Sequence, residues 1–332
     1  MITRVDKAGS LADEWDTLAV SYCQTREFLA YLEKHNPCRQ RYYQLFRGSR
    51  MVAGVCVYSL ALSLLTFSNI PSPLGMQIVG VPCSQSAPGV LGGRDATAEL
   101  LADVVSQERG LLIGLNLDHT LPVPDLQWGR TLPAVVLDRS LASFDDYALQ
   151  LRSSYRRRLQ RLEHLWDGVV SERGSCSRFD RKMYDQYLHV FGASDAKLEK
   201  LPFDVFPNLP GRFTLTTHRR GDQLLGWHIG LSHGDQYVFF LVGLDAATKI
   251  RYHTHANILS SVIREGLEGG ARRIDLGQTA EVAKTRAGGK LVEKHLFAYH
   301  RRALFRMALG KARGVLEYGR RVPDAHVFRT DA

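Results

Sequence analysis

The chain has 332 residues, of which 45% are hydrophobic and 23% charged, with 29 glycines, 12 prolines and a net charge of +9. A composition this ordinary, without a biased tract, excludes a disordered, collagen-like or coiled-coil protein, and the length suits two domains or one large one. The five cysteines, Cys23, Cys38, Cys56, Cys83 and Cys176, are odd in number and form no C-x-x-C pair. That spacing argues against a disulfide framework or a thiolate metal site and for a reducing compartment.

The opening MITRVDKAGSLADEWDTLAV carries acids and bases throughout and no apolar h-region, so no signal peptide is expected and a cytoplasmic address follows. Two helical patterns come first, SLADEWDTLA from Ser10 and TREFLAYLEKHNP from Thr25, each with a good N-cap. RYYQLFRGSRMVAGVCVYSLAL then reads as a hairpin around Gly48. From Met51 to Gly93 there is no Asp, Glu, Lys, Arg or His. Its most apolar run, MVAGVCVYSLALSLLTF, has 17 residues, fewer than the roughly 20 a spanning helix needs. With Gly54, Ser59 and Ser63 inside it and NIPSPLG after it, buried strands are expected. DATAELLADVVSQERG is an amphipathic helix, and LLIGLNL and LPAVVLD are two more strands.

The second half repeats this order of elements. FDDYALQLRSSYRRRLQRLEHLWDG reads as one long helix and SRFDRKMYDQYLHVFGAS as another. Three strands follow within GRFTLTTHRRGDQLLGWHIGLSHGDQYVFFLVGLD, turning at Gly221 and Gly234. NILSSVIREGLEGG is a helix, ARRIDLG a strand, KLVEKHLFAYHR a single strand candidate, and ALFRMALGKARGVLEY a terminal helix. Two halves in the same order predict a duplicated α/β unit with a mixed sheet in each copy. A doubly wound dinucleotide fold would need strict strand–helix alternation and a G-x-G-x-x-G turn, and the chain has neither.

The charge divides unevenly. Residues 1–150 carry 12 Lys and Arg against 15 Asp and Glu, whereas residues 151–332 carry 31 against 19. Within Lys284–Arg321 eleven basic residues face only Glu293 and Glu317. Such a field attracts polyanions: tRNA, a nucleotide-bearing cofactor, an acidic carrier protein or an anionic membrane. DNA is not among the expected partners.

From about Leu151 to Arg302 the sequence resembles the GNAT superfamily of acyltransferases, in its tandem-domain FemAB-like branch. Four segments carry the resemblance: LRSSYRRRLQRLEH, LLGWHIGLSHGDQYVFFLVGLD, IRYHTHANILSSVIREGLEGGARRIDLG and QTAEVAKTRAGGKL. It implies an α/β fold of two tandem GNAT-like domains (α+β mixed sheets). The expected limits are 1–143 for an N-terminal domain, 144–302 for a C-terminal domain with the donor site, and 303–332 for a basic helix and tail. It also implies amide formation. A ternary complex passes an acyl or aminoacyl group from acyl-CoA, acyl-carrier protein or aminoacyl-tRNA, as co-substrate and not tightly bound cofactor, to the amine of a small molecule or peptide.

In GNAT-type sites strand four splays from strand five at a bulge, freeing backbone groups for the donor's extended arm. The resemblance places that strand at Phe240–Leu244, with Val242 and Gly243 as substrate-binding residues and Gly243 where the backbone would bend. Coenzyme-A users place a glycine-rich loop before the next helix, but Lys249-Ile250-Arg251-Tyr252-His253-Thr254-His255-Ala256-Asn257 has no glycine. Lys249 and Arg251 would therefore contact donor phosphate or tRNA by side chain, and an amide cradle is not expected. His253 and His255 lack further ligands within metal spacing, so no metal is expected.

Direct acyl transfer needs a deprotonated nitrogen, a polarised carbonyl and a proton for the leaving group. His228, on a strand between Gly226 and Gly230, is the leading general base. Tyr252 and Tyr299 are candidate acids. Lys284, as the terminal Lys of this loop in FemAB-like relatives, would hold an anion or stabilise the oxyanion, with Asp275 near it at a strand end. Gln278, Thr279 and Arg286 would bind substrate at the mouth of that strand. On the arginine-rich helix, Arg152, Arg156 and Arg157 are expected to contact phosphate or tRNA. The terminal basic helix could lie on anionic lipid, dock tRNA or pack on the core. The competing reading is a non-catalytic polyanion- or membrane-surface-binding protein on the same scaffold.

Overall fold

The computed structural model describes residues 1–60, 76–83, 86–194 and 199–329. It divides into two compact units. The first comprises Met1–Pro133, Asp195–Pro202 and Glu293–Arg320, and the second Ala134–Ser194, Phe203–Val292 and Arg321–Ala332. In chain order the first stretch forms β1 (Ile2–Val5), α1 (Glu14–Leu18), α2 (Arg26–His35), β2 (Arg41–Arg47), β3 (Arg50–Leu60), β4 (Met76–Val79), β5 (Val90–Gly92), α3 (Arg94–Gln107), β6 (Leu111–Leu117) and β7 (Gln127–Arg130). There follow β8 (Ala134–Asp138), α4 (Phe144–Gln150), α5 (Ser153–Leu165), β9 (Val170–Ser175), α6 (Arg181–Ala193), β10 (Phe213–Arg220), β11 (Gln223–His233), β12 (Gln236–Leu244), α7 (Thr254–Glu268), β13 (Arg273–Asp275), α8 (Glu281–Thr285) and β14 (Lys290–Val292). The chain closes with β15 (His295–His300) and α9 (Ala303–Leu316).

The uncharged run begins as β3, a strand paired with β2 on one side and with β4 and β5 on the other. A strand hydrogen-bonded on both sides with Ala53, Val55, Cys56 and Val57 buried has no place for a charge, which explains the composition. Residues 61–75, which continue the run, lie outside the described residues. No described helix is long and apolar enough to cross a membrane.

Each unit is built on one mixed sheet. The first runs β1-β2-β3-β4-β6-β15-β7, with β5 also on β3, and the second runs β14-β8-β13-β12-β11-β10-β9. Among the described residues each contains one parallel pair, β4 with β6 and β12 with β13, and each of these pairs is bridged by a helix, α3 and α7 respectively. The repeated order expected from the sequence is thus a repeated topology.

The sheets depart from the expected limits at 143 and 302. β8 was expected in the first domain but pairs antiparallel with β13 and β14 in the second. β15 was expected in the second but lies antiparallel between β6 and β7 in the first. KLVEKHLFAYHR is therefore two strands in two sheets, separated at Glu293-Lys294. Phe297 is fully buried in the first core and meets Trp128 edge-on at 5.4 Å.

Two further differences are local. The long helix of the second half breaks at Leu151, which turns extended and bridges to Phe328 while Arg152 N–H donates to the Val327 carbonyl. The strand β9 was not expected, because a mostly exposed edge strand such as VSERGS has no alternating apolar face to betray it.

Replacing Phe297 by Ala is expected to destabilise the protein by about 3–5 kcal/mol, the usual range for emptying a fully buried aromatic site. Urea unfolding monitored at Trp128 reads this directly, and a loss below about 1 kcal/mol would contradict the placement of β15 in the first core.

Candidate active site

The second sheet opens along one seam. β12 and β13 pair through only three positions, the last being Val238 with Asp275. Beyond Asp275 the chain stays with β8: Leu276 N–H donates to the Val135 carbonyl and Val135 N–H to that of Gly277. β12 meanwhile continues along β11 to Leu244. Between Ile229–Leu241 and Gly230–Phe239 the β11–β12 register skips Phe240, a bulge that bends β12 where it leaves β13. Among the described residues no strand pairs with β12 past Val238 on that edge.

The loop that walls the seam is unusually bent. Gly277, Thr279 and Ala280 all have positive φ, at 75°, 62° and 49°. Left-handed backbone at two successive non-glycine residues is strain held by its surroundings. Asp275 Oδ1 accepts the Gly277 amide at 2.7 Å, which fixes the turn. Lys284, on α8, folds back over the loop and its Nζ donates to the Gln278 carbonyl at 2.6 Å, with the Phe239 ring 5.8 Å away. The residue is only 4% exposed. Burial lowers its pKa to about 8, against the opposing pull of Asp275 and Glu281. His255, in the first turn of α7, is pushed down to about 4, first by burial and then by the Lys284 charge. A buried amine, a neutral imidazole and the open edge of β12 thus meet in one region of the second unit. His255 had been read only with the loop before it, since its approach to Lys284 comes from α7 packing rather than from spacing.

The other expected site residues divide. Gln278 and Thr279 belong to this loop, and Asp275 contributes as the cap of the turn. His228 does not reach the seam: it is fully buried, its Nδ1 3.1 Å from His218 Nε2 and its Nε2 3.2 Å from Glu265 Oε1. Glu265 also accepts from Thr216 Oγ1 and Tyr237 Oη at 2.9 and 2.7 Å. Burial would raise the Glu265 carboxyl, but the bonds from His228, Tyr237 and Thr216 hold it down at about 2. The small neighbours Gly226 and Gly230 leave no ligand space, because Tyr237 and the residues of α7 fill it. Gly243 is corrected too. It pairs with Trp227, and a Cβ there would lie 2.2 Å from Trp227 Nε1, so its missing side chain accommodates an indole on the α6 side of the sheet. Val242 packs on the core of the second unit. Tyr252 is buried beneath the guanidinium groups of Arg220 and Arg251, and its carbonyl accepts from Asn257 Nδ2.

A family model described as acetyltransferase (GNAT) domain matches residues 150–285. Among solved structures the chain is similar to FemX, with 10% identity and a TM-score of 0.58 over 93% of this chain and 100% of that one. The chain has a GNAT, FemAB-like fold. It is also similar to the C-terminal domain of a putative lysylphosphatidylglycerol synthetase from Agrobacterium fabrum (12% identity, TM-score 0.48, 87% of this chain and 91% of that one) and to a tandem GNAT protein from the clavulanic acid biosynthesis pathway (11%, 0.48, 90% and 98%). No curated protein matches the sequence.

The basic residues of this GNAT-like unit are not equivalent. Arg152 Nε donates to the Phe328 carbonyl and Arg156 Nη2 to that of Leu151, so both tie the break between α4 and α5. Arg157 is exposed. Arg158 lines a cleft between α5, α7 and α8 together with Arg286, Tyr155, Leu159, Leu259 and Ala283. Burial and then the Arg286 charge lower its pKa, and neither guanidinium meets a carboxylate among the described residues. Lys249 Nζ lies 3.0 Å from His189 Nε2, and Arg251 is exposed. No group of three or more His, Cys, Asp or Glu suited to a metal occurs among the described residues.

Two outcomes follow for stability. The Lys284 ammonium is harder to keep folded than unfolded, so between pH 8 and 10.5 the unfolded chain binds more protons and native stability rises with pH. Relative to Lys284→Met, the wild type is expected to gain about 3 kcal/mol across that window, measured by denaturant unfolding at both ends; a flat difference would place the amine in water. Gly243→Ala should cost about 1–3 kcal/mol through the Trp227 clash. If donor binding fell while stability held, Gly243 would be a ligand contact after all.

Proposed function

We propose that the protein is an N-acyltransferase that makes an amide by direct attack of an amine on a carrier-bound ester at the seam between β12 and β13. The observation that carries this reading is the unpaired edge of β12 beyond Val238 lying in the same region as the buried Lys284. An extended donor arm adds to that edge as a strand would, and its carbonyl then lies near the Lys284 ammonium. The acceptor nitrogen attacks the carbonyl carbon, the new C–N bond forms, and the C–S or C–O bond to the carrier breaks. Lys284 stabilises the oxyanion as charge develops, in surroundings where burial strengthens the interaction. His255, neutral at physiological pH, accepts a proton from the attacking amine and returns it to the leaving thiolate or alkoxide. Asp275, Gln278 and Thr279 hold the loop that aims Lys284, while Tyr252, Lys249 and Arg251 stand at the head of α7 and Arg286 with Arg158 in the α8 cleft, where donor phosphates would be met. The work is done in the cytoplasm, and the donor is acyl-CoA, acyl-carrier protein or aminoacyl-tRNA.

Turnover of an amine with each donor class tests this. Lys284→Met is expected to lower kcat about 10²- to 10³-fold, the usual loss when an oxyanion donor is removed. Because the reaction needs Lys284 protonated, kcat should fall as pH rises through about 8, and Lys284→Arg should move that descending limb upward. Unchanged turnover in both variants would remove Lys284 from the chemistry, and absence of turnover with every donor class would leave the scaffold as a polyanion-binding protein. Salt separates the donors: a tRNA complex weakens steeply as counterions are released, whereas a small thioester shows shallow dependence.

A further inference from the structure

The helix α9 packs one side on β7 and β15, with Leu309 and Gly310 partly covered and Gly310 beside Gln127. Its other side is left to solvent. Leu304 is 80% exposed, Met307 63% and Phe305 47%. Positions 304, 307, 308 and 311 share one face of a helix, so Leu304, Met307 and Ala308 form an apolar stripe about one turn long with Lys311 beyond it. Single apolar residues on a surface are ordinary, but Leu304 and Met307 on one face, with Phe305 half exposed beside them and its ring 4.5 Å from His300, form a contiguous patch of the kind that marks a binding surface. Exposed cations stand at both ends of the stripe, Arg301 and Arg302 before it and Lys311 at its far end. Arg306 turns away from it, pairing with Asp125 at 3.5 Å and donating to the carbonyls of His300 and Arg301. The sequence holds no acid between Glu293 and Glu317.

We propose that this face of α9 docks the protein on a bilayer containing anionic lipid. Leu304, Phe305 and Met307 enter the boundary between headgroups and acyl chains, and Arg301, Arg302 and Lys311 lie at the phosphate level. The arrangement is that of a helix lying in the plane of the interface, apolar at its centre and basic at its margins. An RNA-binding face would carry its cations at the centre, where this one has Leu304 and Met307. A second copy of the chain would bring the same positive field against itself. The inference goes beyond acyl transfer and stands on α9 alone.

Cosedimentation of the full chain with vesicles tests it. Binding is expected to phosphatidylglycerol–phosphatidylcholine vesicles and to be at least about tenfold weaker to phosphatidylcholine alone, since each cation near an anionic surface contributes. The double variant Leu304→Ser, Met307→Ser should lose at least about tenfold in affinity for the mixed vesicles. Both positions face solvent, so the fold should be retained, which circular dichroism checks. Arg301→Gln, Arg302→Gln and Lys311→Gln together should remove the salt-sensitive part of the binding. Equal binding to both vesicle types, or equal binding by the serine variant, overturns the proposal. Self-association of the wild type in sedimentation velocity that the serine variant abolishes would overturn it in favour of a second copy, and tRNA binding lost in the serine variant would overturn it in favour of RNA.

Discussion

Everything in the second unit turns on a change of partner. After Asp275 the chain abandons β12 and keeps its hydrogen bonds to β8, through Leu276 and Gly277 on Val135. A parallel pair as short as β12–β13 holds the two strands together at one end only, and the bulge at Phe240 carries β12 away at the other. Backbone groups along β12 are left without a strand partner on that edge. In a buried setting this would be costly, and a sheet tolerates it only where water or another extended chain can take their place.

The same divergence dictates the loop. To leave β12, pass through Gly277 and start α8 within a few residues, the backbone has to enter the left-handed region three times. Asp275 on the Gly277 amide and Lys284 on the Gln278 carbonyl are the two side chains that hold this path from either end. Lys284 is therefore both the brace of the strained loop and its one buried cation, and its position depends on strain that the β12–β13 divergence imposes. The contrast with the Glu265 cluster is instructive. There a buried carboxylate accepts from Tyr237 and Thr216 with the His228 ring 3.2 Å away, and such a cluster ties β10, β11, β12 and α7 together inside the core rather than at the seam.

Periodicity made the elements of the second half legible, and order made the duplication legible, because amphipathic helices and turn glycines leave local traces. What escaped was non-local. Strand alternation put His228 on one face and Trp227 on the other correctly, yet a sequence cannot say that Glu265, some forty residues on, occupies the space opposite His228. Gly243 was visible as a glycine in a strand, but which approaching group it admits, an indole or a ligand, depends on the neighbouring strand's register. The exchange of β8 and β15 between sheets was hidden for the same reason: LPAVVLD and HLFAYH are good strands in either sheet, and only pairing energy chooses. In the arginine run the four-residue period left several faces open, and the packing of α5 against α7 and α8 selects Arg158 rather than Arg157 for the cleft.

The head of α7 shows why side chains, and not backbone amides, face the space before this helix. His253 sits at the N-cap with φ of 45°, a conformation that a glycine would adopt without strain. The Thr254 amide is already engaged by the Lys249 carbonyl, the Ala256 and Asn257 amides by that of His253, and Asn257 Nδ2 closes the turn on the Tyr252 carbonyl. With those donors spent inside the loop, an incoming phosphate would have few backbone N–H groups to collect, whatever the helix dipole offers. Cations replace them: Arg251 is exposed over Tyr252, and Lys249 stands beside His189. Under the proposed acyl transfer, a donor phosphate at this loop would be met by the point charge of Lys249 and the planar fork of Arg251, and discrimination among donors would fall to the seam beside Lys284.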